Sequence, residues 1–279
     1  MPSHSDTPPV EARIEALDTT LFDAIPAQTS LDDRRSLLAI QGALARRRNP
    51  YRYLEIGSHL GGSIQTHLLD PRCAAIVSID KRPARQPDER GVLYDYPENS
   101  TERMMRNLKS LSAAAVSKVT ALDTDTGALD PSAIRFKPDL CFIDGEHTDQ
   151  AVLRDSEFCL SAMAGSGILC IHDSNIVFRG IGRFMERLRS VGRSFNAYNL
   201  PECVFVVELG GAGIHDDSCV ADLLLNNHVG YFAALHGLSV YRDFYNDPWV
   251  RRAIRALRKL RMGARAVALA DKLDEGGHT

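Results

Sequence analysis

The sequence has no long apolar run, no paired cysteines and no excess of basic residues, and each absence excludes a class of protein. No stretch approaches the roughly 20 apolar residues that a membrane-spanning helix needs. The six cysteines are scattered without C-x-x-C pairs, which is typical of a reduced, intracellular protein. The formal net charge of -3 gives no electrostatic reason to bind nucleic acid. We therefore expect a small-molecule or saccharide substrate.

The first ten residues also lack the apolar segment of a secretory signal peptide, because they are polar and contain proline. We therefore expect a cytoplasmic protein without a transmembrane segment. The composition is 44% hydrophobic and 25% charged, as in an ordinary globular chain that can bury a core. It indicates no particular activity.

Short apolar runs bounded by turn residues alternate with helical patterns through the middle of the chain. The runs extend over 51–56, 74–79, 118–122, 139–143, 167–171 and 203–207. This alternation is typical of a parallel sheet that helices cover on both faces. We therefore predict a doubly wound α/β core, and we place it at 49–210.

An extension flanks this core at each end. Residues 1–48 are predicted to be a loose lead-in up to about residue 29, followed by a helix that a capping box at Ser30 and Asp33 begins. Residues 211–279 are predicted to be a helical extension, in which basic residues surround apolar positions from 248 onward. A solvated helix face is the ordinary interpretation of such a charge run. Peripheral contact with an anionic membrane or with a partner is the alternative.

The segment from Tyr53 to Ser63, YLEIGSHLGGS, places glycines directly after a predicted strand and before a helix. Open α/β sheets bind ligands at such turns, because glycine lets a ligand approach the backbone and the helix N-terminus offers free N–H groups. A dinucleotide fingerprint G-x-G-x-x-G would need glycine at position 59, where this chain has His59. The next predicted strand ends at Asp80, an acid that can accept hydrogen bonds from ribose hydroxyls. Loop and acid together predict a nucleoside site.

Two further strands deliver carboxylates and imidazoles to the same edge of the sheet. Asp144 and His147 follow one strand, and the next strand runs into His172, Asp173 and Asn175. Histidine can accept a proton near neutral pH, and the oxygen ligands among these residues suit Mg²⁺. A helix-start or turn role is the structural alternative for His147 and Asp173.

The pattern I-D-G-x-H-x-x-x-x-V-x-x-D, from Ile143 to Asp155, together with E-x-G-x-x-x-G, resembles class I S-adenosylmethionine-dependent methyltransferases. Within that class it is similar to the group containing macrolide-sugar O-methyltransferases and cephalosporin-hydroxylase-like proteins. The resemblance covers roughly 50–208. It implies a Rossmann-like fold, S-adenosylmethionine as cofactor, and methylation of a hydroxyl on a sugar or glycosylated natural product. We also expect a homo-oligomer.

The resemblance also implies residue roles. Asp123, at the end of a later strand, would lie beside the adenine, with a capping or turn role as the alternative. His147 would be the base, and the implied metal ligands are Asp144 and Asp173, joined here by His172 and Asn175. Metal-binding members have an acid where this chain has His172, so the resemblance leaves a metal requirement open. The residues expected to contact the cofactor are Glu55, Gly57, Ser58, Gly61, Gly62, Ser63, Asp80, Asp123 and Asp144.

Two other functions fit the same residues. An iron-dependent hydroxylase-like relative, or an oxidoreductase on a similar fold, could draw two histidines and one carboxylate from His147, His172 and Asp144 or Asp173. A non-catalytic protein could bind the cofactor and serve as a partner in a biosynthetic assembly. The polar segment 81–101 is predicted to be either a surface insertion or a lid over the site.

Overall fold

The computed structural model describes residues 8–91, 93–228, 231–232 and 247–259. Contacts divide the chain into a unit of residues 1–230 and a second unit of 231–279. The first unit contains a seven-stranded sheet, and the second contains the helix Pro248–Lys259. The predicted extension at 211–279 therefore begins inside the first unit.

The sheet has the spatial order β5-β2-β1-β6-β7-β9-β8. Its strands are β1 Tyr51–Ile56, β2 Cys73–Ile79, β5 Val119–Leu122, β6 Leu140–Ile143, β7 Gly167–Ile171, β8 Phe195–Asn199 and β9 Phe205–Leu209. The first five strands in this spatial order, β5, β2, β1, β6 and β7, pair in parallel. β9 pairs antiparallel with both β7 and β8. The order reverses between β1 and β6, and ligands bind at such a reversal in open α/β sheets.

The predicted α/β fold is confirmed, with one correction at the edge of the sheet. The apolar runs predicted for β1 and β7 match the strand limits, and those for β2, β5 and β6 agree to within one residue. The last run, 203–207, begins two residues before β9 and overlaps it. This strand is antiparallel and so makes the sheet mixed. Two antiparallel strands can be joined by a short connection, and residues 200–204 join β8 to β9 in this way.

Eight α-helices are described. They are α1 Val10–Glu15, α2 Leu31–Arg47, α3 Ile64–Leu69, α4 Thr101–Leu111, α5 Asp149–Ala162, α6 Phe178–Ser190, α7 Ser218–Leu224 and α8 Pro248–Lys259. The predicted capping box at α2 is present, since the Ser30 side chain accepts from the Asp33 N–H and Asp33 accepts from the Ser30 N–H. In the described part of the chain, no helix is long and apolar enough to span a membrane.

Strand alternation sends side chains into two cores, one on each face of the sheet. Tyr53 and Phe142 belong to a cluster with residues of α2, α3, α4 and α7. Leu54 and Ile143, their neighbours in sequence, belong to a second cluster with α5 and α6. Burying each large apolar side chain stabilises the fold by about 1.5–3 kcal/mol. The result is a three-layer arrangement that fixes the carboxyl edge of the sheet.

The N-terminal segment is not the loose lead-in that its weak periodicity predicts. It contains α1 and a 3-10 helix, Thr19–Phe22. Ile14, Leu21, Phe22 and Ile25 are buried. The Gln65 side chain also binds this segment, because its amide donates to the Phe22 and Ile25 carbonyl oxygens at 3.0 and 2.8 Å. Elements of four to six residues are too short to show a helical period.

Residues 81–101 form a small antiparallel hairpin, β3 Arg85–Pro87 and β4 Leu93–Asp95. The segment then runs directly into α4. A backbone hydrogen bond from Glu89 N–H to the His147 carbonyl oxygen, 3.0 Å long, ties the hairpin to the segment after β6. The predicted insertion is therefore attached to the edge of the sheet where the candidate site residues lie. Of the two alternatives, this attachment favours a lid over the site.

Candidate active site

A cleft of about 530 Å³ opens at the carboxyl edge of the sheet. Five parts of the chain form its walls. They are 26–29 before α2, the glycine loop 57–63 after β1, Asp80 at the end of β2, the hairpin segment, and the turn after β6 that carries Asp144 and His147. A second cleft of about 290 Å³ adjoins it and extends toward the end of β5. Gly57, Asp80 and Gln86 line both clefts.

Gly57 is required by the neighbouring strand as much as by any ligand. Its φ is +89°, and a Cβ at this position would lie 2.1 Å from the Asp144 carbonyl oxygen. Gly62 is crowded in a similar way, because its Cβ would lie 2.5 Å from the Pro26 carbonyl oxygen. These glycines allow the loop to pack between β6 and the N-terminal segment. Gly61 also has positive φ, +88°.

Glu55 lies beneath the loop and does not line either cleft. Its carboxyl group is buried and accepts hydrogen bonds from the Tyr53 hydroxyl and, at 2.7 Å, from the Ser63 hydroxyl. Burial raises the pKa of Glu55 to about 7, against the lowering effect of these two hydroxyl groups. We infer that Glu55 shapes the loop from below.

Ser58 is the loop residue most clearly prepared for a ligand. It is 2% exposed and lines the first cleft. Its hydroxyl oxygen makes no hydrogen bond of ordinary geometry within the described residues, although it lies close enough to the Glu55 carboxylate to oppose the rise in the pKa of Glu55. A buried hydroxyl without a partner is costly, so a polar ligand group in this cleft would relieve it.

The Asp80 carboxylate joins the ends of β1 and β2. It accepts hydrogen bonds from the His59 N–H at 2.9 Å and from the Arg82 N–H at 2.8 Å. The Arg82 guanidinium approaches it at 3.3 Å and donates to the His59 carbonyl oxygen at 2.7 Å. Asp80 therefore holds the glycine loop as well as facing both clefts, a role that the strand pattern did not predict.

Asp123, expected beside the adenine, lines neither cleft. Its side chain is half exposed and accepts from the Thr101 hydroxyl. The next three residues, Thr124, Asp125 and Thr126, line the second cleft instead. The polar residues that follow β5 thus line a cleft, but they begin one residue further along the chain than expected.

His147 lies in the wall of the first cleft, between β6 and α5. Its position is fixed on both sides, since β6 ends at Ile143 and the Thr148 side chain caps α5. Its Nε2 atom is 3.1 Å from Asp173 Oδ2 and 3.9 Å from Asp144 Oδ1. Burial lowers the pKa of His147, but these carboxylates outweigh it and raise the pKa above its usual value.

His172 lies deeper, among three carboxylates. Its Nδ1 atom is 3.2 Å from Asp144 Oδ1 and 3.1 Å from Asp173 Oδ2, and its Nε2 atom is 3.4 Å from Asp33 Oδ2. Burial alone would lower the pKa of His172, but these carboxylates raise it well above its usual value. The buried pair with His172 in turn holds the pKa of Asp33 below its usual value, although burial opposes this. An imidazolium here balances part of the negative charge.

Three of the four predicted metal ligands come together. Ligand atoms of Asp144, His172 and Asp173 lie within 4.8 Å of one another. Asn175 is exposed, and no described contact joins its side chain to the group. The sequence therefore predicted three residues of the cluster, and Asn175 lies outside it.

The hairpin segment contributes wall residues that sequence patterns did not single out. Gln86, Tyr96 and Asn99 line the first cleft. The Tyr96 ring also packs edge-on against His59, with 5.2 Å between ring centroids. Short strands of three residues give no periodic signal, so only the unusual length of the 81–101 connection pointed to a functional role.

Comparison with known protein families gives a match within the first unit. Residues 54–174 match the model of a methyltransferase domain family. This segment contains the glycine loop, Asp80, His147 and the His172–Asp173 pair. None of the curated proteins matches the chain in sequence.

Several solved structures are similar in three dimensions at low identity. An O-methyltransferase from Bacillus cereus in complex with S-adenosylhomocysteine is 15% identical, covers 71% of this chain and 90% of its own, and has a TM-score of 0.46. An O-methyltransferase from Streptomyces achromogenes involved in tomaymycin synthesis is 16% identical, with coverages of 74% and 90% and a TM-score of 0.44. A calicheamicin methyltransferase is 12% identical, with coverages of 74% and 95% and a TM-score of 0.48. We assign no residue role from these structures.

Proposed function

We propose that the protein is an S-adenosylmethionine-dependent methyltransferase that acts on a hydroxyl oxygen. One observation carries the proposal: the glycine loop, Asp80 and His147 line the same cleft. Methyl transfer from a sulfonium donor is an in-line displacement, so a protein must mainly align the acceptor and remove its proton. A cofactor loop and an imidazole facing one space supply both requirements.

The residues present fit the cofactor. The unpartnered Ser58 hydroxyl and the backbone of the glycine loop could bind its amino-acid part, and Asp80 could bind its ribose. Thr124, Asp125 and Thr126 offer polar atoms to a base in the second cleft. When bound, S-adenosylmethionine supplies an activated methyl group on a positively charged sulfur. The carboxylate of Asp144, in the wall of the first cleft, would favour that charge.

His147 would act as the general base. Its imidazole must be neutral to accept the hydroxyl proton. The neighbouring carboxylates raise the pKa of His147 against the effect of burial. They therefore stabilise the imidazolium that forms when the proton is taken. Asp173, 3.1 Å from Nε2, is placed to share that charge.

A sugar or glycosylated natural product is the acceptor that we propose. The family resemblance supports it, and so does the polar character of the cleft wall. Gln28, Thr29, Gln86 and Asn99 all line the first cleft. Amides and hydroxyls can donate to and accept from the hydroxyl groups of a sugar.

Assistance by a divalent metal is a second element of the proposal, favoured by the cluster of Asp144, His172 and Asp173. Oxygen-rich sites suit Mg²⁺, and a bound cation would orient the acceptor hydroxyl and lower its pKa. The same cluster with His147 is the set that an iron-dependent hydroxylase would use. Dependence on 2-oxoglutarate and consumption of O₂ would distinguish that activity.

Formation of S-adenosylhomocysteine during incubation with a panel of sugars and glycosides tests the proposed function. Each reaction is run with and without Mg²⁺, and His147→Ala is the inactive reference. We expect acceptor-dependent product with the wild-type protein. Cofactor binding without product from any hydroxyl acceptor would favour the non-catalytic alternative.

A further inference from the structure

The hairpin brings a buried acid to the far side of the proposed base. Asp88 lies between β3 and β4, and its side chain is fully buried. Asp88 and His147 form an isolated parallel β-bridge. Next to it, the Glu89 carboxylate accepts from the Asp149 N–H at 2.8 Å. The hairpin is thus attached to the segment after β6 at His147 and again at Asp149.

The orientation of the Asp88 carboxylate is set by its neighbour Arg90. Oδ1 accepts from the Arg90 N–H at 2.7 Å and from Nε at 2.8 Å, and Oδ2 accepts from Nη2 at 2.9 Å. Burial raises the pKa of Asp88, but the contacts with Arg90 lower it below the usual value. The carboxylate is therefore ionised and held in one orientation.

Asp88 faces only one nitrogen of His147. Asp88 Oδ2 is 3.5 Å from Nδ1, whereas Nε2 is directed to Asp144 and Asp173. A base that accepts a proton through Nε2 must carry its other proton on Nδ1. Nε2 is itself 3.1 Å from Asp173 Oδ2, so the protonated ring donates there. Once Nε2 is free to accept the substrate proton, the Asp88 carboxylate favours the tautomer that keeps the remaining proton on Nδ1 and helps to set the plane of the ring. The separation is long for a hydrogen bond, and such contacts often tighten when substrate binds.

We propose that Asp88 is a positioning residue that orients His147 as the base of the methyl transfer. This inference rests on the function proposed above. It gives the hairpin a part in the reaction beyond covering the cleft. A structural role in the hairpin alone would not require the carboxylate to lie beside Nδ1.

The first experiment needs no acceptor. The whole chain is labelled with ¹⁵N-histidine, and the ring signals of His147 are identified by their loss in His147→Gln. We expect Asp88→Asn to shift the Nδ1 signal of His147. The matched control is Asp95→Asn in the same hairpin, where the carboxylate is exposed and pairs with Arg85; it should leave the signal in place. Identical His147 signals in the wild type and Asp88→Asn would overturn the proposal.

The second experiment measures turnover at saturating cofactor. Asp88→Asn should lower kcat about 10–10²-fold, less than the about 10⁴-fold loss for the same change in the catalytic triad of serine proteases, because the separation here is longer. The dissociation constant for cofactor should stay within about twofold of the wild-type value. Asp88→Glu, which keeps the carboxylate charge, should have a higher kcat than Asp88→Asn.

The double variant His147→Ala/Asp88→Asn separates positioning from structure. If Asp88 acts through His147, the double variant should be no slower than His147→Ala alone. Independent, multiplying losses would mean that Asp88 only supports the hairpin, and the proposal would be wrong. Failure of the proposed function is recognisable separately, because the wild type would then methylate nothing while the ¹⁵N experiment still reports on the contact.

Discussion

The two sides of the cleft differ in the chemical groups that they present. The side formed after β1 and β2 is a glycine loop held by two buried acids, Asp80 and Glu55. The side formed after β6 and β7 concentrates charge, with two histidines among several carboxylates. The first side can hold a ligand with backbone and hydroxyl groups, whereas the second can move a proton. This division teaches that binding and chemistry should respond to different substitutions.

The largest expected effect lies on the charged side. His147→Ala should lower turnover by about 10²–10⁴-fold, the usual range for a positioned base. The affinity for cofactor should change little, because the glycine loop and Asp80 remain. Steady-state kinetics at saturating cofactor and metal would show this, with His215→Ala, at a site distant in the fold, as a reference variant. Near-normal turnover of His147→Ala would remove the distinction between the two sides.

Gly57→Ala should affect both sides, because Gly57 packs against the Asp144 backbone. We expect it to lower the free energy of unfolding by about 3 kcal/mol, from positive φ and the clash together. The control is Gly192→Ala, where φ is also positive, +65°, but no atom lies within 4 Å of the added Cβ. That change should cost about 1–2 kcal/mol. Equal losses in urea unfolding would show that the close approach is unimportant.

Asp80→Ala should weaken cofactor binding while leaving the chemistry at saturation nearly unchanged. Each lost charge-assisted hydrogen bond to ribose is worth roughly 1.5–3 kcal/mol. The His59 N–H would also lose its acceptor, so the loop itself should loosen. Titration calorimetry and kcat measured on the same preparation separate the two effects. A loss of kcat with unchanged affinity for cofactor would contradict this prediction, because Asp80 would then act in the chemistry and not in binding.

The pH dependence should differ between activity and stability. Because the pKa of His147 is raised, the acid limb of the rate profile should lie above pH 6.5, the usual value for histidine. The pKa of His172 is also raised, so its stabilising contribution is complete below about pH 6.5 and is lost as the pH rises through its folded value. Asp33, with a lowered pKa, contributes above about pH 4 and loses its effect in more acidic solution. Stability that grew steadily from pH 7 to pH 9 would contradict this assignment.

Parts of both sides of the cleft could be predicted from sequence. Gly57 and Asp80 follow apolar runs whose strand limits are nearly those observed, and parallel strands must deliver their carboxyl ends to one edge. The cluster of Asp144, His147, His172 and Asp173 was predicted for the same reason. Both predictions depend only on local pattern and sheet geometry.

What sequence could not predict depends on long-range packing. Asp33 is a helix-capping residue by pattern, yet it lies 3.4 Å from the imidazole of His172, 139 positions away in sequence. Asp88 belongs to a hairpin too short to have a period. Asp123 contacts Arg82 and Thr101 and does not line the second cleft. Within the predicted helical extension 211–279 the structure describes α7 and α8, and positions 229–230, 233–246 and 260–279 lie outside the described residues.

The most direct measurement of the central claim is titration calorimetry of the purified protein with S-adenosylmethionine and with S-adenosylhomocysteine. Wild type, Asp80→Ala and His147→Ala are compared under the same conditions. We predict that the wild type and His147→Ala bind with similar affinity and that Asp80→Ala binds at least about tenfold more weakly, consistent with the loss of one charge-assisted hydrogen bond. No binding to the wild type, or equal binding by all three proteins, would contradict a cofactor site on the glycine side of the cleft.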